Sequence, residues 1–282
     1  MRISGLQRFI NYLPDYSEKQ SKLLLLRLPG FAILFFLLQI GFFYSIRFLT
    51  LQYPIKLFKV ILFIVPILNN IIFIFFGTLI AQLGFHKKKD YLEKYGNRAY
   101  QRIVKTILFG ISMVFAGILF GYVPLFYPSG QIGYYLSQPF YSWFTNWDWV
   151  WIRYTLGGIC FLIALRTAYR AVEEFGIDTA AMVYVYFPED AKIVDHDIYS
   201  IVRHPMYLAV VLVAIGGFLT HFSGYSILLS IITYLNFCRH ILVEERELKI
   251  RFGKSYEEYI KRTPGMLISP KNWPKFFKFL IN

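Results

Sequence analysis

Long apolar runs dominate the chain. Crossing a bilayer takes about 20 mostly apolar residues, because the hydrocarbon core is about 30 Å thick and a helix rises about 1.5 Å per residue. Six segments meet that length: 28–49, 59–84, 104–126, 150–168, 205–222 and 224–243. They predict an all-α, polytopic helical membrane protein with about six transmembrane helices. The polar residues between the runs are strongly biased. With both ends cytoplasmic, the inner segments carry 26 Lys and Arg, and the outer ones carry four: Arg47, Lys56, Lys59 and Arg153. The opposite orientation inverts that ratio, so the positive-inside rule predicts both termini on the cytoplasmic side. The loop 127–149 is then external. It is nearly uncharged, and Tyr134, Tyr135, Trp143, Trp147, Trp149 and Trp151 read as an interfacial aromatic belt.

Composition sharpens this picture. Of 282 residues, 56% are apolar, 20% aromatic and 17% charged, against roughly 25% charged in an average soluble domain. Disordered, collagen-like and ordinary soluble classes are excluded. In a soluble protein a net charge of +13 would suggest nucleic acid. Here it reads as basic residues gathered on the cytoplasmic face against anionic lipid, with no nucleic-acid partner. Cys160 and Cys238 are far apart and sit inside apolar runs, which gives neither a disulfide framework nor a zinc site. Residues 1–27 lack the pattern of a signal peptide and read as a cytoplasmic segment near the membrane surface. A four-helix transmembrane region (28–168) and a C-terminal region (169–282) holding the last two helices follow, within one membrane domain. Pro66 predicts a kink in the second helix. Asn69 and Asn70 read as interhelical glue, and Gly117 with Gly121 as a close internal packing site.

The acidic residues are cytoplasmic by this topology, Asp148 excepted, and the chemistry concentrates in two stretches. In the first, 192–207, Pro205 opens the fifth span, so Arg203 and His204 stand at a helix N-terminus. Free N–H groups and the helix dipole favour an anion there, and Arg203 reinforces them. Tyr199 and Tyr207 can supply a flat wall. In the second, 244–262, Glu245, Glu247, Glu257 and Glu258 each precede a Lys or Arg by four residues, the order of solvated helix pairs. Glu244 has Leu248 there instead, and needs another partner: a ligand, or a cation from another helix. The turn near residues 221–224 is short enough to force an antiparallel hairpin. It should bring Arg203, His204, Tyr207 and Glu244 to one pocket suited to a zwitterion with a flat ring.

Arg-His-Pro-Met-Tyr at 203–207, an apolar hairpin, and Glu-Glu-x-x-Leu-x-x-x-Phe-Gly-x-x-Tyr-x-x-Tyr at 244–259 together resemble the isoprenylcysteine carboxyl methyltransferase family. Phospholipid methyltransferases share much of the pattern. The resemblance covers roughly residues 190–270. It implies an integral membrane methyltransferase that uses S-adenosylmethionine as cofactor, with a lipophilic acceptor entering from the bilayer and no obligate protein partner. Position by position, Tyr199, His204, Pro205, Met206, Tyr207 and Glu244 would contact the cofactor, and Lys192, Ile193 and Val194 match a loop that closes over it. The chain departs from the family at Ala191, where a His is usual, near Asp197, where a Gly is usual, and at His240, where an Arg is assigned to the substrate carboxylate. Arg239 is adjacent but lies about 100° around the helix. Arg239 and His240 are therefore the candidate substrate residues, and His240 and Arg203 the candidate catalytic ones. In-line transfer from a sulfonium needs positioning and exclusion of water, and no metal. His240 can accept a proton if the nucleophile is an amine or thiol. An NADPH-dependent sterol-type reductase and a non-enzymatic scaffold are the rival readings.

Overall fold

The computed structural model describes residues 4–53, 57, 60, 61, 64, 68–122, 147–187, 192–222 and 224–281. Among these, all regular structure is helical. In chain order the helices are α1 (Leu6–Asn11), α2 (Glu18–Gln52), α3 (Gly77–His86), α4 (Lys88–Tyr95), α5 (Ala99–Tyr122), α6 (Trp147–Phe175), α7 (Ile177–Ala180), α8 (Val183–Tyr186), α9 (Pro205–His221), α10 (Gly224–Phe252), α11 (Lys254–Arg262) and α12 (Trp273–Ile281). A π-helical turn, Ile71–Phe76, runs into α3, and a 3-10 turn, Asp197–Ser200, precedes α9.

Among the described residues, five helices are long and apolar enough to cross a membrane: Glu18–Leu49, Leu68–His86, Lys88–Phe120, Trp149–Phe175 and Ser226–Phe252. Pro205–Thr220 is a shorter apolar helix, and it occupies the short 205–222 segment expected from the sequence. Pro205 fixes its start, since a proline fits the first turn and has no N–H to continue a helix backward. The large exposed side chains along these helices, such as Leu37, Phe48, Leu162, Leu165 and Leu235, are those of a protein bathed in hydrocarbon.

The N-terminal segment, read from the sequence as lying near the membrane surface, packs into the fold. Ser17 caps α2: its hydroxyl accepts from Gln20 N at 3.3 Å, and Gln20 Oε1 accepts from Ser17 N at 2.8 Å. This reciprocal box starts the helix ten residues before the predicted span. Ahead of it, Phe9 and Leu13 are buried in a cluster with Tyr100, Ile103, Val104 and Met182. Arg8 Nε lies 3.3 Å from Asp178 Oδ2, and Ile177 N donates to Ser4 O at 2.9 Å.

Inside the bundle, polar side chains pair across helices. Asn69 donates to Gln39 of α2, the interhelical role expected of it. Asn236 Nδ2 donates to Thr78 Oγ1 at 2.7 Å, and one turn further Gln82 meets His240. These two rungs hold α3 against α10. Gly117 faces Phe73 and Ile74 so closely that a Cβ would lie 2.9 Å from Phe73 Cβ, which is internal packing. α6 and α9 touch through Gly157 and Gly216, where a Cβ on Gly157 would sit 3.1 Å from Gly216 O. Trp149 and Trp151 are exposed. Pro66, Tyr134, Tyr135 and Trp143 lie outside the described residues, and so does the side chain of Trp147.

Candidate functional site

The site forms where α9 begins, alongside the last turns of α10. Backbone bonds fix its rim: Arg203 N donates to Pro264 O at 2.9 Å and His204 N to Gly265 O at 3.0 Å. The chain after α11 thus folds back under the Arg-His-Pro turn. Two consecutive carboxylates on α10 meet this turn. Glu244 Oε2 accepts from Tyr207 OH at 2.8 Å and Glu244 Oε1 from Tyr184 OH at 3.0 Å. Glu245 Oε1 accepts from Arg203 Nη2 at 2.6 Å and Nε at 3.0 Å.

His204 stands between the two carboxylates. Its Nε2 is 3.1 Å from Glu245 Oε1 and its Nδ1 is 3.4 Å from Glu244 Oε2, with the side chain 5% exposed. Its ring is stacked on Tyr207 at 5.4 Å with 14° between planes. Burial by itself opposes the charged imidazolium, but hydrogen bonds and attraction from Glu244 and Glu245 outweigh it, so the His204 pKa is raised above its ordinary value. Both ring nitrogens then donate. Arg203 and His204 together offset the two glutamates, and the buried cluster is close to neutral.

Around Glu244 lies a cavity of about 230 Å³. One end is polar and aromatic. Tyr199 stacks on Phe175 at 5.0 Å and 28°, held by Tyr259 OH donating to Tyr199 O at 2.6 Å. The other end is apolar, with Ala81 of α3, Ile111, Val114 and Ile118 of α5, Val210 of α9 and Phe237 of α10. A neighbouring cavity of about 250 Å³, on the side of Arg8 and Asp178, shares Phe175, Tyr184 and Lys192 with it.

The structure brings together Lys192, Ile193, Val194, Tyr199, Arg203, His204, Pro205, Met206, Tyr207, His240 and Glu244, all of which line the first cavity. Arg239 is not among the lining residues. Its guanidinium lies 4.8 Å from the Phe75 ring centre, and Nη2 donates to Gln82 Oε1 at 3.4 Å. Ala191 is outside the described residues. Asp197 takes a φ of 47°, the left-handed region where glycine is favoured and Asp is among the better substitutes. Arg170 holds its carboxylate.

Two expectations change. Arg203 was expected to present its charge to an anion. Instead it binds Glu245 and donates to the carbonyls of Ile260 and Thr263, because the α11 turn packs over it. Glu245 was expected to pair with Lys249 on a solvated face. It turns inward to Arg203 and His204, with its side chain 13% exposed. The sequence reading also missed Tyr184, which arrives from a four-residue helix 60 positions before Glu244, and Gln82, which arrives from α3. The Asn/Thr and Gln/His rungs between α3 and α10 share an i, i+4 spacing, and that spacing was a usable signal for Gln82. Nothing local marks Tyr184.

Gln82 determines how His240 behaves. An arginine can only donate, so Gln82 turns its oxygen to Arg239 and its Nε2–H to His240 Nδ1, at 2.9 Å. His240 Nδ1 is therefore the acceptor, and a neutral ring carries its proton on Nε2. That Nε2 makes no hydrogen bond among the described residues, and the ring lines the cavity.

Comparison with known proteins points the same way. Residues 152–255 match the phospholipid methyltransferase family, the stretch that supplies α9, α10, the Arg-His-Pro turn and both glutamates. Over 112 residues the chain is 32% identical to a protein-S-isoprenylcysteine O-methyltransferase of Schizosaccharomyces pombe. That match takes in 39% of this chain and spans just under half of the relative, 46% of its length. No solved structure gives a significant match.

Proposed function

We propose that this chain is an integral membrane methyltransferase that binds S-adenosylmethionine at the Glu244 end of the cavity. Its acceptor is a lipophilic molecule that reaches the apolar end from the bilayer, an isoprenylcysteine-like carboxylate or a lipid head group. Both termini face the cytoplasm in this reading, on the strength of the basic inner segments. The observation that carries the proposal is the environment of Glu244. A carboxylate offers about four acceptor positions. Tyr184, Tyr207 and His204 use three of them, and one on Oε1 remains for the ammonium of an amino-acid moiety. The Tyr199–Phe175 pair supplies a flat wall for a ring, and Lys192 lies on the same cavity for a carboxylate. These residue types fit such a cofactor.

When bound, a sulfonium donor supplies an activated methyl group with a neutral leaving group. The chain's own residues position and desolvate. Tyr184, Tyr207 and His204 hold Glu244 in one orientation so that it can anchor a cation without moving. Burial keeps water from the reacting face. Reacting atoms need an approach of about 3–3.5 Å, and the junction of polar and apolar ends near His240 is where an acceptor head would meet the methyl. His240 Nε2–H there donates a hydrogen bond to an acceptor oxygen. It does not take a proton while Gln82 occupies Nδ1: a carboxylate acceptor loses none on methylation, and an amine head group would have to enter as the free base. Arg203 acts through Glu245 and His204 as a positioning residue.

The test is incubation of the purified protein, reconstituted in lipid, with methyl-labelled S-adenosylmethionine and either an S-prenylated N-acetylcysteine or a phospholipid mixture. Label in an organic-extractable product supports the reading. Absence of label from both, with the protein folded, refutes it.

A further inference from the structure

The last helix presents three distinct faces. At 100° per residue, Trp273, Phe277 and Ile281 of α12 share one stripe. They are 44%, 54% and 85% exposed. The neighbouring arc, Phe276 and Phe279, is buried against Ile198, Tyr199, Ile201 and Val202. Lys275 and Lys278 complete the circle, both exposed. From Tyr259 onward the sequence has five cations and neither Asp nor Glu.

The depth of this helix follows from its neighbours. The cluster holding Phe276 and Phe279 also receives Ile163 of α6 and Leu212 of α9, and Arg166 lies 5.8 Å from the Phe279 ring centre. Arg166 stands near the end of the apolar run 150–168, so its contact with Phe279 places α12 at the level where α6 leaves the hydrocarbon. On α6 at that level, Leu162 and Leu165 are 68% and 69% exposed. The stripe on α12 is likewise exposed, with Lys275 and Lys278 on the adjoining arc and Lys271 just before the helix, all three exposed.

We propose that α12 is an interfacial helix that docks on an anionic lipid surface. Trp273, Phe277 and Ile281 enter the acyl region, and Lys271, Lys275 and Lys278 lie at the headgroup phosphates. Its buried arc sits directly behind Tyr199, so the wall of the cavity is backed by a membrane-held helix. This assignment stands whether or not the chain transfers methyl groups.

The test uses the full chain in phosphatidylcholine nanodiscs, with and without phosphatidylglycerol. The Trp273 signal is the fluorescence difference between wild type and Trp273→Phe. A second reporter, Phe277→Trp in the Trp273→Phe background, covers loss of the first. Phosphatidylcholine brominated high on its acyl chains should quench both reporters, and aqueous iodide should not. At low salt, phosphatidylglycerol should increase the bromine quenching, and that gain should be lost in the Lys271→Gln, Lys275→Gln, Lys278→Gln triple variant, whose lysines are all exposed. Quenching by iodide and not bromine overturns the proposal. So does quenching by neither, which would mean a protein covers this face, and so does a phosphatidylglycerol gain that survives in the triple variant.

Discussion

Glu245→Gln probes the cluster that holds the site. Arg203 and Glu245 side chains are 9% and 13% exposed and in contact at 2.6 Å. Removing one partner of a buried ion pair typically costs about 3–5 kcal/mol, because the other charge is left uncompensated. Glutamine keeps one acceptor oxygen, and Arg203 keeps its bonds to Ile260 and Thr263, so the lower end, about 3 kcal/mol, applies. For a chain of this size about 2–4 °C accompanies each kcal/mol, which gives a fall in Tm of about 6–12 °C. Removing both charges in Arg203→Met, Glu245→Met should recover most of the loss, since replacing a buried pair by apolar groups of similar volume is often near neutral. Thermal unfolding in detergent reads both. The exposed pair Lys22–Glu18, with side chains 49% and 62% exposed, serves as control: Lys22→Gln should leave Tm unchanged. A fall in Glu245→Gln no larger than in Lys22→Gln, or a double variant worse than either single change, would refute the claim that this pair is a buried staple.

Three further outcomes are expected. The folded pKa of His204 is raised, so its contribution to stability is fully present below the unfolded value of about 6.5 and is lost as pH rises through the raised value. Tm should decline on the alkaline side of neutrality, and His204→Gln should flatten that slope; an unchanged slope contradicts the bridging role. Gln82→Glu should move the His240 proton from Nε2 to Nδ1, read by nitrogen NMR of histidine-labelled protein, and an identical tautomer in both proteins would count against the Arg239–Gln82–His240 chain. Gly157→Leu should cost about 1–3 kcal/mol by overpacking α6 against α9, where a Cβ already approaches Thr220 Cγ2 at 2.7 Å; a neutral result would mean the helices can separate freely.

Hydrophobic runs of bilayer length were legible because one physical requirement, some 20 apolar residues, produces them. Where helices begin was less so. α2 starts at a Ser17–Gln20 capping box inside a charged stretch that reads as a surface segment, and Phe9 is buried only because α5 and α8 are there to cover it. The Arg-His-Pro turn and Glu244 could be associated from sequence, since a short hairpin dictates their proximity. Glu245 was misread for an instructive reason: a Glu with Lys four residues on satisfies a local helix rule, and only the fold shows that α11 closes over this side of α10. Tyr184 comes from a separate element 60 residues away, where no local pattern announces a partner; for Gln82 the one sign was its i, i+4 spacing from Thr78, which matches that of Asn236 and His240.

The central claim, that Glu244 anchors a sulfonium nucleoside, is tested most directly by calorimetric titration of S-adenosylmethionine into the full chain in nanodiscs, wild type against Glu244→Gln. Saturable binding to the wild type and its loss in Glu244→Gln, with Tm in the absence of ligand showing the variant folded, is the predicted result. Equal affinity in both proteins would contradict it.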